Sequence, residues 1–120
     1  IVNVIISQIK HKNVLIVKGS LNRTRSLIYV KDAVKLMLKI LNKNNKKTIN
    51  IASEKFYTIK SLIKIIKEIY NKNFKVKVIN GTQGDPLHNI ADLSLMKKLA
   101  KSQIEYDIYR GLKELKNLRK

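Results

Sequence analysis

Gly19-Ser20-Leu21-Asn22-Arg23-Thr24-Arg25-Ser26-Leu27-Ile28-Tyr29-Val30-Lys31-Asp32 is the stretch in which this sequence speaks of chemistry. It reads as a loop bearing an arginine, then a short apolar strand, Leu27-Ile28-Tyr29-Val30, then the start of a helix. Arg25 stands just ahead of that strand, which fixes its backbone while the side chain reaches outward. Such a mount suits a guanidinium that orients a phosphate, because its planar fork donates two parallel hydrogen bonds. Taken alone, the same residue also reads as a surface arginine beside an edge strand. Asp32, at the turn from strand to helix, is expected to cap the helix N-terminus.

Working outward, Val2, Ile5, Ile6 and Ile9 recur at helical spacing and predict an amphipathic helix from Ile1 to about Lys12. Val14-Leu15-Ile16-Val17 is a continuous apolar run, read as a buried strand that ends at Gly19. Beyond Asp32, a helix is expected with Ala33, Val34, Met37, Leu38, Ile40 and Leu41 on a broad apolar face. Asn42 to Lys47 is polar without periodicity and reads as an exposed loop. Thr48-Ile49-Asn50-Ile51-Ala52 alternates like a strand, with Asn50 bonding nearby backbone. Thr58 caps the most regular helix, in which Ile59, Leu62, Ile63, Ile66, Ile69 and Tyr70 oppose Lys60, Lys64 and Lys67; Asn71 ends it. Phe74 to Ile79 follows as a strand with Lys75 and Lys77 outward, and Asn80-Gly81 turns. Thr82-Gln83-Gly84-Asp85-Pro86 reads by itself as an ordinary turn. A last helix is expected from Ile108 to Lys120, with Leu112, Leu115 and Leu118 on its apolar side and a basic end at the negative pole of the dipole.

The 120 residues make one domain at most, and a hydrophobic fraction of 44% suffices for a core. The chain opens on Ile1, within an apolar-periodic segment, so it is expected to be a fragment of something longer. The absence of cysteine excludes a disulfide framework, a thiolate zinc site and a thiol nucleophile. No apolar run approaches the roughly 20 residues needed to span a bilayer, and nothing resembles a signal peptide, so a cytoplasmic location is expected. A net charge of +18 invites a nucleic-acid reading. The excess is lysine, spread over every expected helix and strand, with only Arg23, Arg25, Arg110 and Arg119 beside it. Arginine is the usual reader of base edges. Solvated helix faces are therefore preferred, and a small basic nucleic-acid-binding module is the alternative. His11 and His88 have no carboxylate at catalytic or metal spacing and read as surface residues.

Several of these stretches carry a resemblance. Gly19, Thr24, Arg25, Ile28, Tyr29, Val30 and Asp32 fall on the pattern GxGxxxR(D/S)(F/W)(I/L)YVxD of the NAD-dependent epimerase/dehydratase family, the extended short-chain dehydrogenase/reductases that include UDP-glucose 4-epimerase. Leu21 replaces the second glycine. Asn50-Ile51 resembles the family's YNIG element, the helix from Thr58 its (S/T)(I/V)xELxxxI helix, and Thr82 to Pro86 its RxGDP loop. Ala91, Asp92, Ser94, Leu99, Gly111 and Leu112 follow ADxSKAxxxLGWxPxxxLxxGL, with Lys101, Ser102 and Ile104 departing from its glycine, aromatic and proline. The order and spacing cover nearly the whole chain from Val14 onward.

What the resemblance implies is an α/β piece of short strands and amphipathic helices without a Rossmann core. It is the C-terminal, substrate-binding portion of an extended short-chain dehydrogenase/reductase, with residues 1–120 as a single fragment. Arg25 is implied to bind the diphosphate of a nucleotide sugar and Asp85 its nucleoside, with Val17 near the base. Thr82 stands at the family's second phosphate-binding arginine, where a hydroxyl neutralises no charge; either a lysine such as Lys75 or Lys77 compensates, or diphosphate binding is weakened. Catalysis by a Tyr-x-x-x-Lys pair with a nearby serine or threonine, and NAD itself, are implied to belong to the N-terminal Rossmann part of a homodimeric parent. No glycine-rich dinucleotide loop is present, none of Tyr29, Tyr57, Tyr70, Tyr106 and Tyr109 is expected to belong to a Tyr-x-x-x-Lys pair, no catalytic residue is assigned, and the fragment alone is expected to be inactive and to bind no cofactor.

Overall fold

A computed structural model describes residues 1–43, 47–101 and 104–118. In chain order its elements are α1 (Val2–His11), β1 (Val14–Lys18), β2 (Thr24–Ser26), α2 (Val30–Leu41), β3 (Phe56–Thr58), α3 (Ile59–Tyr70), β4 (Lys75–Ile79), β5 (His88–Asn89), α4 (Ser94–Ala100) and α5 (Ile108–Asn117). The mixed α/β class matches the expectation. Two compact units form, Ile1–Arg25 with Tyr57–His88 and Ser26–Phe56 with Asn89–Lys120. The short strands β3, β2 and β5 are hydrogen-bonded in that order.

In the first unit β1 and β4 pair in parallel, with Val14 opposite Lys75 and Lys18 opposite Ile79. Ile5, Ile6 and Ile9 of α1, Leu15 and Val17 of β1, and Ile59, Leu62, Ile63 and Ile66 of α3 make the core. The apolar run of β1 is not buried throughout, as its continuity suggested. Successive side chains point to opposite faces of the pleat, and Val14 and Ile16 stay exposed while Leu15 and Val17 enter the core. The outer edge of β1 meets a side chain rather than a third strand. Gln8 accepts from the Ile16 N–H at 2.9 Å and donates to its carbonyl at 3.2 Å, which satisfies both backbone groups.

Helix α3 forms as expected. The Thr58 hydroxyl oxygen accepts from the Ser61 N–H at 3.0 Å, and Asn71 ends the helix in the left-handed conformation at φ 46°. Thr58→Ala should therefore destabilise the first unit by about 1 kcal/mol. A chemical-denaturation midpoint that does not move would show that water replaces the cap.

In the second unit Leu36 and Ile40 of α2 pack with Leu93, Met96 and Ala100, and Ile28, Ile49 and Ile51 cover the cluster. The broad apolar face expected for α2 is corrected. The row Asp32, Leu36, Ile40 faces inward, four residues apart, whereas Val34, Met37, Leu38 and Leu41 are exposed. Thr48 to Ala52 is not a strand; among the described residues no neighbour offers it a ladder, and only the inward lean of Ile49 and Ile51 survives from the alternation. Asn50 does bond backbone, donating to the Asp92 carbonyl at 3.2 Å.

Asp32 does not cap its helix. Tyr29 holds the cap position without a side-chain bond, and Asp32 lies in the first turn, 2% exposed. Its carboxylate accepts instead from the backbone N–H of Tyr106 at 2.9 Å and of Glu105 at 3.3 Å. The Tyr29 and Tyr106 rings stack 4.6 Å apart, and the Arg110 guanidinium lies 4.2 Å over Tyr106. Gly111 suits this packing, since a Cβ would stand 3.1 Å from the Tyr29 ring and press it outward by a few tenths of an ångström. Asp107 caps α5 through the Arg110 N–H at 2.7 Å. Leu112 is buried as expected, Leu115 is half-buried, and Leu118 is exposed, because the packed face of α5 ends a turn before it. Asn44 to Lys46 of the expected loop, Ser102 of the connection before α5, and Arg119 and Lys120 of the expected helix end lie outside the described residues.

Lys35 and Lys31 hold the Glu105 and Glu114 carboxyls below their ordinary value of 4.5 by hydrogen bonds from their ammonium groups. A carboxyl depressed on folding contributes stability above its unfolded value, and that contribution is lost as pH falls through the folded one. An acid titration should accordingly destabilise wild type below pH 4.5 more than Lys35→Met, which has no such pair to lose at Glu105.

Candidate anion site around Asp85

The site begins where β1 and β4 end together. Gly19, at φ +78°, donates its N–H to the Ile79 carbonyl at 2.8 Å. A Cβ on Gly81 would stand 3.1 Å from the Gly19 Cα, so two glycines let the two loops touch. The loop from Ser20 is tied down by the start of α3: Lys60 N–H donates to the Leu21 carbonyl and Ile59 N–H to that of Arg23, each at 3.0 Å. These donors are among the helix N–H groups that have no partner within the helix. Thr24 N–H then donates to the Leu87 carbonyl at 2.9 Å, which brings the 82–87 turn alongside.

Arg25 and Asp85, sixty residues apart, meet directly. Arg25 Nη2 lies 2.7 Å from Asp85 Oδ1, and Arg25 Nη1 donates to the Thr24 carbonyl at 2.8 Å and the Pro86 carbonyl at 3.1 Å. The second carboxylate oxygen, Oδ2, is paired with Arg23 Nη1. Arg23, which is only 8% exposed, also donates from Nε to the Ser20 carbonyl at 2.9 Å and from Nη2 to the Lys18 carbonyl. One carboxylate thus spans two guanidinium groups. The turn that carries it is closed by the Asp85 N–H on the Thr82 carbonyl at 3.2 Å, with Gly84 at φ +82°.

Thr82 is exposed, and its carbonyl accepts the bond that closes this turn. Val17 is buried beside a cleft of about 440 Å³ whose walls include Ile5, Ile16, Lys18 and Arg23, but not Arg25, Asp85 or Thr82. Arg25 and Asp85 are brought together, Thr82 flanks them through its carbonyl in the Asp85 turn, and Val17 lines the neighbouring cleft that Arg23 also borders. Exposed Lys75 and Lys77 lie along β4. His88 is exposed as expected, with its Nδ1 2.9 Å from the Thr24 hydroxyl. Arg23 was passed over in the sequence as one charge among many. Its signal was the spacing of two from Arg25, which puts both on one side of extended chain.

The expectation that no tyrosine has a lysine four positions on is corrected: Tyr109 and Lys113 have the spacing of a Tyr-x-x-x-Lys pair. They lie on α5 at an open surface shared with Tyr106, Arg110 and Glu114, and among the described residues no serine or threonine lines it. Among the described residues no group of three or more His, Cys, Asp or Glu is arranged to hold a metal. No described helix is long and apolar enough to cross a membrane.

Comparison with known proteins places the sequence and the fold among similar ones. Residues 1–52 match the family model of the NAD dependent epimerase/dehydratase family. UDP-glucuronic acid decarboxylase 3 of Arabidopsis thaliana is 27% identical over 112 residues, which cover 93% of this chain and 33% of that protein. The chain therefore spans about a third of the length of the curated relatives it matches. Among solved structures, UDP-N-acetylglucosamine 4-epimerase from Methanobrevibacter ruminantium, in complex with UDP-N-acetylmuramic acid, is 27% identical with a TM-score of 0.86, over 95% of this chain and 37% of that one. UDP-glucuronic acid 4-epimerase from Bacillus cereus, in complex with UDP-glucuronic acid and NAD, is 22% identical with a TM-score of 0.82, over 98% and 40%. Over residues 1–52 by sequence, and by fold, the chain is similar to the NAD-dependent epimerase/dehydratase family.

Proposed function

We propose that residues 1–120 act as the C-terminal, nucleotide-sugar-recognising part of an NAD-dependent sugar epimerase, dehydratase or decarboxylase. The observation that carries this reading is the pairing of Arg25 with Asp85 across sixty residues at the loop where β1 and β4 end. In it, Arg25 holds the diphosphate and Asp85, each of whose oxygens retains a lone pair beyond its guanidinium bond, accepts from the nucleoside. Val17 and Thr82 serve as flanking contacts. Relatives that carry a UDP-sugar in their names or structures favour UDP as the nucleotide.

Hydride chemistry belongs, in this reading, to a Rossmann part outside these residues. The chain's own residues do not fit NAD, since no glycine-rich loop joins a strand to a helix anywhere in the sequence. The exposed apolar stripe Val30, Val34, Met37 and Leu41 on α2 supports a covering partner, because contiguous apolar surface of this kind usually marks an interface. A cytoplasmic, homodimeric parent completes the proposal.

The experiment is equilibrium binding of UDP-glucuronic acid to the chain, run beside single- and double-stranded nucleic acid over a salt series. Saturable UDP-sugar binding with only weak, salt-sensitive nucleic-acid binding supports the proposal. Sequence-selective nucleic-acid binding without UDP-sugar binding overturns it.

A further inference from the structure

A carboxylate paired with a single guanidinium is electrically neutral and offers a diphosphate little attraction. Asp85 is not in such a pair. Its Oδ2 belongs to Arg23 and its Oδ1 to Arg25, so two cations share one anion and the group keeps a net positive charge. We propose that Arg23 is the positioning residue that keeps the Arg25 site cationic. By drawing off half of Asp85, it leaves Arg25 with charge to spare for a phosphate-type anion and fixes the direction of its fork. The inference rests on the reading of Arg25 as the diphosphate anchor.

The burial of the three side chains orders them for this task. Side-chain exposure is 10% for Arg23, 22% for Arg25 and 29% for Asp85. Arg23 therefore sits behind, while Arg25 faces solvent. A guanidinium so buried needs acceptors, and Arg23 finds them at the end of β1, in the Ser20 loop and on the Asp85 turn. The space it occupies depends on Gly19, whose Cβ, if present, would lie 3.3 Å from Arg23 Cζ. Arg25 makes three bonds with five N–H groups, so it retains donors for an incoming oxyanion. Thr82, exposed and neutral, supplies no charge to this loop. Arg23 supplies it from another place in the chain.

The test is titration of the full 120-residue chain with inorganic pyrophosphate, with uridine as a phosphate-free control. Arg23→Gln brings the group to neutrality and should weaken pyrophosphate about tenfold, the scale of one charge at several ångströms in a surface dielectric. Arg23→Lys should keep most of the affinity, and uridine should not respond to Arg23→Gln. Asp85→Asn should tighten pyrophosphate. The combined Arg23→Gln, Asp85→Asn chain regains the original net charge and should return to within about threefold of wild type. If Arg23 were only a brace, the double variant would bind no better than Arg23→Gln, and that result overturns the inference. Weaker binding by Asp85→Asn overturns it too. Loss of binding in Arg25→Ala with none in Arg23→Gln removes the role of Arg23 and leaves the anchor standing. Absence of pyrophosphate binding by the wild-type chain removes both.

Discussion

Asp32→Ala should lower the stability of the chain by about 3 kcal/mol. The carboxylate lies 2% exposed and accepts two backbone N–H groups, those of Glu105 and Tyr106. Alanine removes both acceptors at once and leaves two part-buried backbone donors without their partner. A hydrogen bond to a charged group contributes about 1.5–3 kcal/mol, and an orphaned buried donor costs a similar amount. A domain of this length has about 6–18 kcal/mol of stability in all, so the loss is a substantial share, worth about 10 °C in melting temperature. Asp32→Asn keeps the shape and one acceptor, but turns an NH2 toward a backbone donor; it should fall between wild type and alanine. Thermal melts followed in the near ultraviolet, where the Tyr29–Tyr106 stack contributes, are the measurement. A melting temperature shared by all three chains would mean that these bonds contribute nothing net.

Arg25→Ala should weaken UDP-sugar binding by about 1.5–3 kcal/mol, the scale of hydrogen bonds to a charged group. It removes the more exposed of the two guanidinium groups on Asp85 and leaves Arg23–Asp85 as a neutral pair. Arg25→Lys should recover only part of the loss. An ammonium restores the charge but not the planar fork, and it reaches the Thr24 and Pro86 carbonyls without the fixed angle that Arg25 uses. Heat of binding measured for the three chains at one salt concentration separates charge from geometry.

The parts of the fold that were legible in the sequence are those set by near neighbours. Helix α3 declares itself through its period, its Thr58 cap and its Asn71 stop, all within fourteen residues of chain. The Asp85 turn was legible through the order of motifs around it, but the strand expected at Leu27–Val30 is not there: Arg25 lies inside β2, residues 27–29 are irregular, and α2 already begins at Val30, because the extended segment takes its ladder partners one step earlier in the chain. What stayed hidden depends on partners far along the chain. Asp32 looks like a cap because caps are local, yet its acceptors serve N–H groups 73 and 74 residues away. Helix α2 carries apolar side chains around most of its girth, so composition does not say which row turns inward; Leu36 and Ile40 do, and Val34 and Met37 do not. The alternation of Thr48 to Ala52 records which side chains lean on the core, but a ladder also needs a neighbouring strand. Arg23 was obscured by a chain rich in positive charge, where only burial and a shared carboxylate set it apart.

The account turns on a guanidinium at position 25 that holds the diphosphate of a nucleotide sugar. Calorimetric titration of UDP-glucuronic acid into the wild-type chain and Arg25→Ala tests it most directly, with Thr58→Ala as a control for general loss of stability. Saturable binding by wild type and the control, weakened at least tenfold in Arg25→Ala, is the predicted result, about 1.4 kcal/mol or more. Equal affinity in all three chains would contradict it.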